Sequence, residues 1–162
     1  MATDILMIED SRTFAEAAVA GLKAYHANFP NSTRYHVDVV GTVAEGRQRL
    51  LTRPYAALLL DLTLPNGEGV ALVYELVTAF PDVAVVVLTG RDESMADAII
   101  RAGAHEYLSK TDMTANNLER ALKRAIVRHE VRHTVRPIRE ELAEIRSACD
   151  SACETLQRGG GK

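Results

Sequence analysis

The stretch Ala56-Ala57-Leu58-Leu59-Leu60-Asp61-Leu62-Thr63-Leu64-Pro65 decides the fold. Five apolar residues in a row, without polar alternation, read as a strand buried on both faces, as in a parallel sheet. The run is short for a helix and is punctuated by an acid and then by proline. Val83 to Leu88 is a second run of the same kind, followed by Thr89 and Gly90. Ile5 to Ile8, followed by Glu9-Asp10, and Glu106 to Leu108, followed shortly by Lys110, are shorter versions. Tyr35 to Val40 is weaker and partly alternating.

Between these runs the apolar spacing is helical. A first helix is expected over Arg12 to Asn28 with Ser11 as its N-cap. Thr42 and Glu45 have capping-box spacing and open a second. A third covers Gly69 to Phe80 and is stopped by Pro81. A fourth covers Glu93 to Ala102 and ends at Gly103, and a fifth starts after Thr114. Strand and helix thus alternate five times over residues 1–130. That pattern predicts an α/β, doubly wound, five-stranded parallel sheet, with right-handed crossovers and helices on both faces. Residues 29–36 read as a polar loop.

With 162 residues, 47% apolar and 25% charged, the chain has the size and composition of about one globular domain with a core of its own. A net charge of -3 argues against a protein made mainly to hold nucleic acid. The two cysteines, Cys149 and Cys153, are four apart. They suit one helix face better than a disulfide framework, a metal site or a redox site. The N-terminus carries no signal-peptide pattern, and no apolar run nears the ~20 residues of a membrane span. The expected location is cytoplasmic.

In an open α/β sheet, ligands bind outside the carboxyl ends of the strands. Reading just past each strand end gives Glu9 and Asp10, then Asp61, then Thr89, then Lys110. Each has a plainer explanation alone: Asp61 as a turn residue, Glu9-Asp10 as a helix-start signal, Thr89-Gly90 as turn chemistry, Lys110 as a solvated cation. Together, at four strand ends, they compose one site. Mg²⁺ prefers one or two carboxylates plus waters and phosphate oxygens, and clustered acids need a cation between them. With the metal present Asp61 becomes a nucleophile toward phosphorus, Lys110 supplies a second positive charge, and the Thr89 hydroxyl donates to a phosphoryl oxygen.

The strings Ile5-Leu6-Met7-Ile8-Glu9-Asp10-Ser11, Leu58 to Gly69, Val85 to Gly90 and Gly103 to Lys110 resemble the motifs of response-regulator receiver domains, in that family's order and spacing over about residues 3–130. The resemblance implies the flavodoxin-like strand order 2-1-3-4-5 and a phosphoacceptor role for Asp61. It implies one Mg²⁺ ion held by Glu9, Asp10, Asp61 and the backbone carbonyl of Thr63. It gives Thr89 and Lys110 as the switch hydroxyl and phosphate-contacting lysine, and Tyr107 as the aromatic switch residue, although a plain half-buried strand tyrosine is an equal reading. The implied donor is a sensor histidine kinase or histidine phosphotransfer protein. The chain departs from the family where Lys110 is followed by Thr111 and not by proline. A cis bond without proline costs roughly 2.5–4 kcal/mol, so a trans bond or a rearranged turn is expected there.

Other readings remain open at this point. A haloacid-dehalogenase-like phosphatase would want a second acid two residues after Asp61, where Thr63 stands. A flavodoxin-like cofactor binder would want a phosphate loop where Glu9-Asp10 stand. The receiver is also readable as a degenerate dimerisation scaffold, or as the front of a longer hybrid kinase.

Residues 131–162 form a separate C-terminal helical or coiled-coil extension with a frayed, glycine-rich end. The fifth helix is expected to bury Leu118, Leu122, Ala125 and Ile126. Beyond it Val131, Val135, Ile138, Leu142, Ile145, Cys149, Ala152 and Leu156 alternate spacings of four and three, a heptad seam. Glu141 and Arg146 flank it where charges pair between parallel helices. A homodimer through this helix is favoured over folding back. Pro137 implies either a new helix starting near Thr134 or Val135, or a kink. Arg120, Arg124, Arg128, Arg132 and Arg136 form a basic stripe, read as a solvated face. No DNA-reading module and no membrane segment is expected.

Overall fold

The computed structural model describes residues 2–64, 69–90 and 95–159, with side chains described as far as residue 150. Pro65, the Glu93 start of the expected fourth helix, and the side chains of Ala152, Cys153 and Leu156 lie outside that set. The chain divides into two compact units, Met1–His129 and Glu130–Lys162.

In the first unit the elements follow in strict alternation: β1 (Thr3–Ile8), α1 (Arg12–Asn28), β2 (Tyr35–Val40), α2 (Val43–Thr52), β3 (Ala57–Asp61), α3 (Val70–Ala79), β4 (Ala84–Thr89), α4 (Ala96–Arg101), β5 (Glu106–Ser109), a 3₁₀ turn (Lys110–Asp112) and α5, which begins at Ala115. The sheet is parallel throughout, in the order β2-β1-β3-β4-β5. Every residue of β3 and β4 is buried, which is why those two strands read as unbroken apolar runs. The edge strand β2 is only partly buried and alternates accordingly.

Because successive strand residues point to opposite faces, the sheet builds two cores. Leu6, Ile8, Leu58, Leu60, Val85 and Val87 pack with Leu72, Val73 and Leu76 of α3 and Ile99 of α4. Ile5, Met7, Ala57, Leu59, Ala84, Val86 and Leu88 pack with Ala15, Ala18 and Leu22 of α1 and Leu118, Ala121, Leu122 and Ala125 of α5. Ile126 joins the second core only partly.

The helix starts use the expected residues. Ser11 Oγ accepts from the Phe14 N–H, and Thr42 Oγ1 accepts from the Glu45 N–H while Glu45 reaches back to the Gly41 N–H. Gly103, with φ +106°, closes the end of α4, where a Cβ would lie 2.9 Å from Val77 Cγ1. No cis peptide bond occurs among the described residues, and the chain after Lys110 turns through the short 3₁₀ segment.

α5 runs from Ala115 to Gly159 without interruption, with Pro137 inside it. Of the two alternatives for Pro137, a fresh helix start near Thr134 or Val135 and a kink, the fresh start is thereby corrected. A proline in a helix interior costs about 3 kcal/mol relative to alanine, yet it removes only one hydrogen bond of a helix this long. In the second unit Val131, Val135, Ile138, Leu142 and Ile145 are all exposed. No helix among the described residues is long and apolar enough to cross a membrane.

The arginine stripe also differs from a purely solvated face. Glu106 on β5 is buried, and its Oε2 sits 3.1 Å from Arg124 Nε and 3.2 Å from Arg128 Nη1. Arg128 Nη1 also donates to the His105 carbonyl at 2.9 Å. A carboxylate buried on the edge strand β5 holds two of the stripe's cations beside it.

Candidate functional site

The parallel winding delivers the ends of β1, β3, β4 and β5 to one edge of the sheet. Asp61 is the last residue of β3 and is fully buried, and Glu9, directly after β1, is 2% exposed. Asp10 follows on the solvent side. One carboxylate oxygen from each of Glu9, Asp10 and Asp61 falls within 4.8 Å of the others. Lys110 enters from the turn after β5, its Nζ 2.7 Å from Glu9 Oε2 and 2.8 Å from Asp61 Oδ2. That ammonium also lies 4.3 Å from the centre of the Phe14 ring, a cation–π contact from the first turn of α1.

Glu9 and Asp61 are each held by a backbone N–H two residues on. Glu9 Oε1 accepts the Ser11 N–H at 3.1 Å, the helix-start contact, while Oε2 is turned to Lys110. Oε2 is buried and has no hydrogen-bond partner of good geometry, its 2.7 Å contact with Lys110 being an ion pair of poor alignment. Asp61 Oδ1 accepts the Thr63 N–H at 2.8 Å. The Thr63 hydroxyl reaches both Asp61 oxygens, at 2.8 and 2.7 Å, and donates its one proton to either. The sequence reading gave Thr63 only a backbone role. An Asp-x-Thr turn was the available signal for this hydroxyl contact. Phe14 carried no signal, because nothing local tells which partner covers a lysine nearly a hundred residues away.

Burial pushes the Glu9 carboxyl above its usual range. The nearby Lys110 ammonium and the Ser11 N–H oppose that, and the Asp61 charge adds to it. Burial pulls the Lys110 ammonium the other way, but Asp61 and Glu9 outweigh it and hold its pKa above the ordinary lysine value. Three carboxylates against one ammonium leave two negative charges at the site. That surplus, an all-oxygen donor set and a buried Glu9 oxygen without a well-formed hydrogen bond fit a hard divalent cation.

Thr89 closes β4 at the same edge, 4% exposed and paired in register with Ser109. The next residue, Gly90, lies beside the Thr63 side chain. Tyr107 is half-buried on β5 and packs against the first core.

With this geometry in hand, comparisons with known proteins agree. Residues 5–123 match the model of the response regulator receiver domain. The DNA-binding transcriptional activator DevR/DosR of Mycobacterium tuberculosis is 42% identical over 92 residues, 53% of this chain and 41% of its own length. The photosynthetic apparatus regulatory protein RegA of Cereibacter sphaeroides is 30% identical over 119 residues, 73% of this chain and 60% of its own. The chain therefore spans about half the length of these curated relatives. Among solved structures, the CheY-like receiver domain protein of Methanospirillum hungatei superposes with a TM-score of 0.65 at 21% identity, over 80% of this chain and 98% of that one.

Proposed function

Since the chain belongs to the response-regulator receiver domain family, we propose that it is a phosphoacceptor switch of a two-component or phosphorelay system whose accepting group is the Asp61 carboxylate. The observation that carries this is the Lys110 ammonium 2.8 Å from a fully buried Asp61 that shares its pocket with Glu9 and Asp10. An Asp61 oxygen attacks the donor phosphorus. The new O–P bond forms as the donor's P–N bond (a phosphohistidine) or P–O bond (an acyl phosphate) breaks, and the donor leaves with that electron pair. Lys110 offsets charge on the transferred group. Glu9, Asp10, Asp61 and the Thr63 carbonyl are the residues that would hold one Mg²⁺ ion, which supplies charge neutralisation at the phosphoryl oxygens.

The Thr63 hydroxyl touches both Asp61 oxygens, so phosphorylating either one, which makes an acyl phosphate, disturbs that contact. Thr89 and Tyr107 then follow the new group, and the surface of α4, β5 and α5 changes its affinity for a partner. The donor is a sensor histidine kinase or a histidine phosphotransfer protein, and the protein works in the cytoplasm as a homodimer. The phosphatase alternative is disfavoured by Thr63, whose hydroxyl is committed to Asp61 where that chemistry would want a second acid.

Incubation with acetyl phosphate and Mg²⁺, followed by intact mass, is expected to show a gain of one phosphoryl group, with chelation of the metal suppressing it. No gain under saturating acetyl phosphate would contradict the assignment. Repeated turnover of a small phosphoester with phosphate release would instead favour a hydrolase.

A further inference from the structure

Beyond the receiver site, the second unit carries a long, exposed apolar seam. Val131, Val135, Ile138, Leu142 and Ile145 are each between 43% and 61% exposed, and Cys149 is exposed too. Their spacings place Val135, Leu142 and Cys149 at a positions and Val131, Ile138 and Ile145 at d positions of one unbroken heptad register. α5 is helical through all of them, and Pro137 falls at a c position, facing away from the seam.

The flanking charges select the occupant and its direction. In this register the e positions are Arg132, Arg139 and Arg146, and the g positions are Thr134, Glu141 and Ala148. In a parallel pair, a g residue faces the e residue of the next heptad on the other helix, which sets Glu141 against the second copy's Arg146, twice by symmetry. In an antiparallel pair, e faces e, which sets the arginine rows of the two helices against each other. Resting on the homodimer reading above, we infer that the seam from Val131 to Cys149 binds a second copy of this chain as a parallel, in-register, two-stranded coiled coil. The seam's residues meet their own counterparts across the two-fold axis, Val135 to Val135 and Cys149 to Cys149.

Disulfide mapping tests direction and register, and light scattering tests association, so the two can fail separately. The full chain is expected to scatter at near twice 17.7 kDa. In the full-length C153S chain, diamide is expected to oxidise the two Cys149 thiols to one intermolecular disulfide, diamide accepting the two electrons and two protons. C149S/C153S/V135C, two heptads away, is expected to cross-link to itself equally well. An antiparallel pair, whatever its stagger, can bring at most one of these two positions onto its own counterpart. Leu142→Asp, which puts a charge into the seam and leaves the receiver untouched, is expected to weaken association by about 100-fold or more. Phosphoryl uptake should be unchanged in that variant. A dimer by mass without self-cross-linking at both positions overturns the parallel, in-register arrangement while sparing the dimer. A monomer at high micromolar concentration overturns both and leaves the seam to the chain's own receiver.

Discussion

Asp61→Asn is expected to abolish phosphoryl uptake, by at least about 10³-fold, while the domain stays folded. Asparagine keeps the volume of a fully buried side chain and an oxygen for the Thr63 N–H. It removes the carboxylate that must form the new bond to phosphorus, and Glu9 Oε2 beside it is buried against Lys110. The substitution also relieves the repulsion by which the Asp61 charge raises the Glu9 pKa. It also removes the charge that pairs with Lys110 at 2.8 Å, while the ammonium keeps its contact with Glu9, so the metal-free variant should still melt cooperatively. A loss of uptake in a variant that melts cooperatively is a loss of chemistry and not of structure. Undiminished uptake would place the acceptor elsewhere.

Lys110→Gln has the largest expected effect on the metal-free fold. Lys110 is the cation between two carboxylates whose side chains are fully buried, while its own side chain is 17% exposed. Breaking a buried ion pair by removing one partner costs about 3–5 kcal/mol, and in a chain of this size each kcal/mol is worth roughly 2–4 °C. A fall of about 10 °C in the metal-free Tm is expected, with saturating Mg²⁺ recovering part of it by binding the native state. The pH dependence follows from the raised Lys110 pKa. A cation whose folded value lies above 10.5 contributes stability that is fully present below 10.5 and is lost as pH rises through the folded value. The wild type should therefore lose this contribution only in strong alkali. Glu9, also raised, favours the fold most below 4.5, and that contribution goes as pH climbs through its folded value. Without Lys110 to oppose it, that acid-side gain should grow, and thermal melts of both proteins across pH 4–9 measure it.

The sheet was legible because β3 and β4 are covered on both faces, which leaves no room for polar alternation in Leu58–Leu60 or Val85–Leu88. Once the strands were placed, the parallel winding alone put Glu9, Asp10, Asp61, Thr89 and Lys110 at one edge. Contacts decided by how a helix settles on the sheet were not legible. Glu106 drawing in Arg124 and Arg128, and Phe14 covering the Lys110 ammonium, depend on packing between segments far apart in sequence. At Pro137 only the fresh-start alternative fails, because one lost hydrogen bond does not end a helix held on both sides by many others.

Reductive trapping tests the central assignment most directly. Wild-type protein phosphorylated by acetyl phosphate with Mg²⁺ is treated with borohydride, which converts an aspartyl phosphate to homoserine, and is then mapped by peptide mass. The account predicts homoserine at position 61 and nowhere else. Homoserine at another aspartate, or a phosphorylated protein that borohydride leaves unchanged, would contradict it.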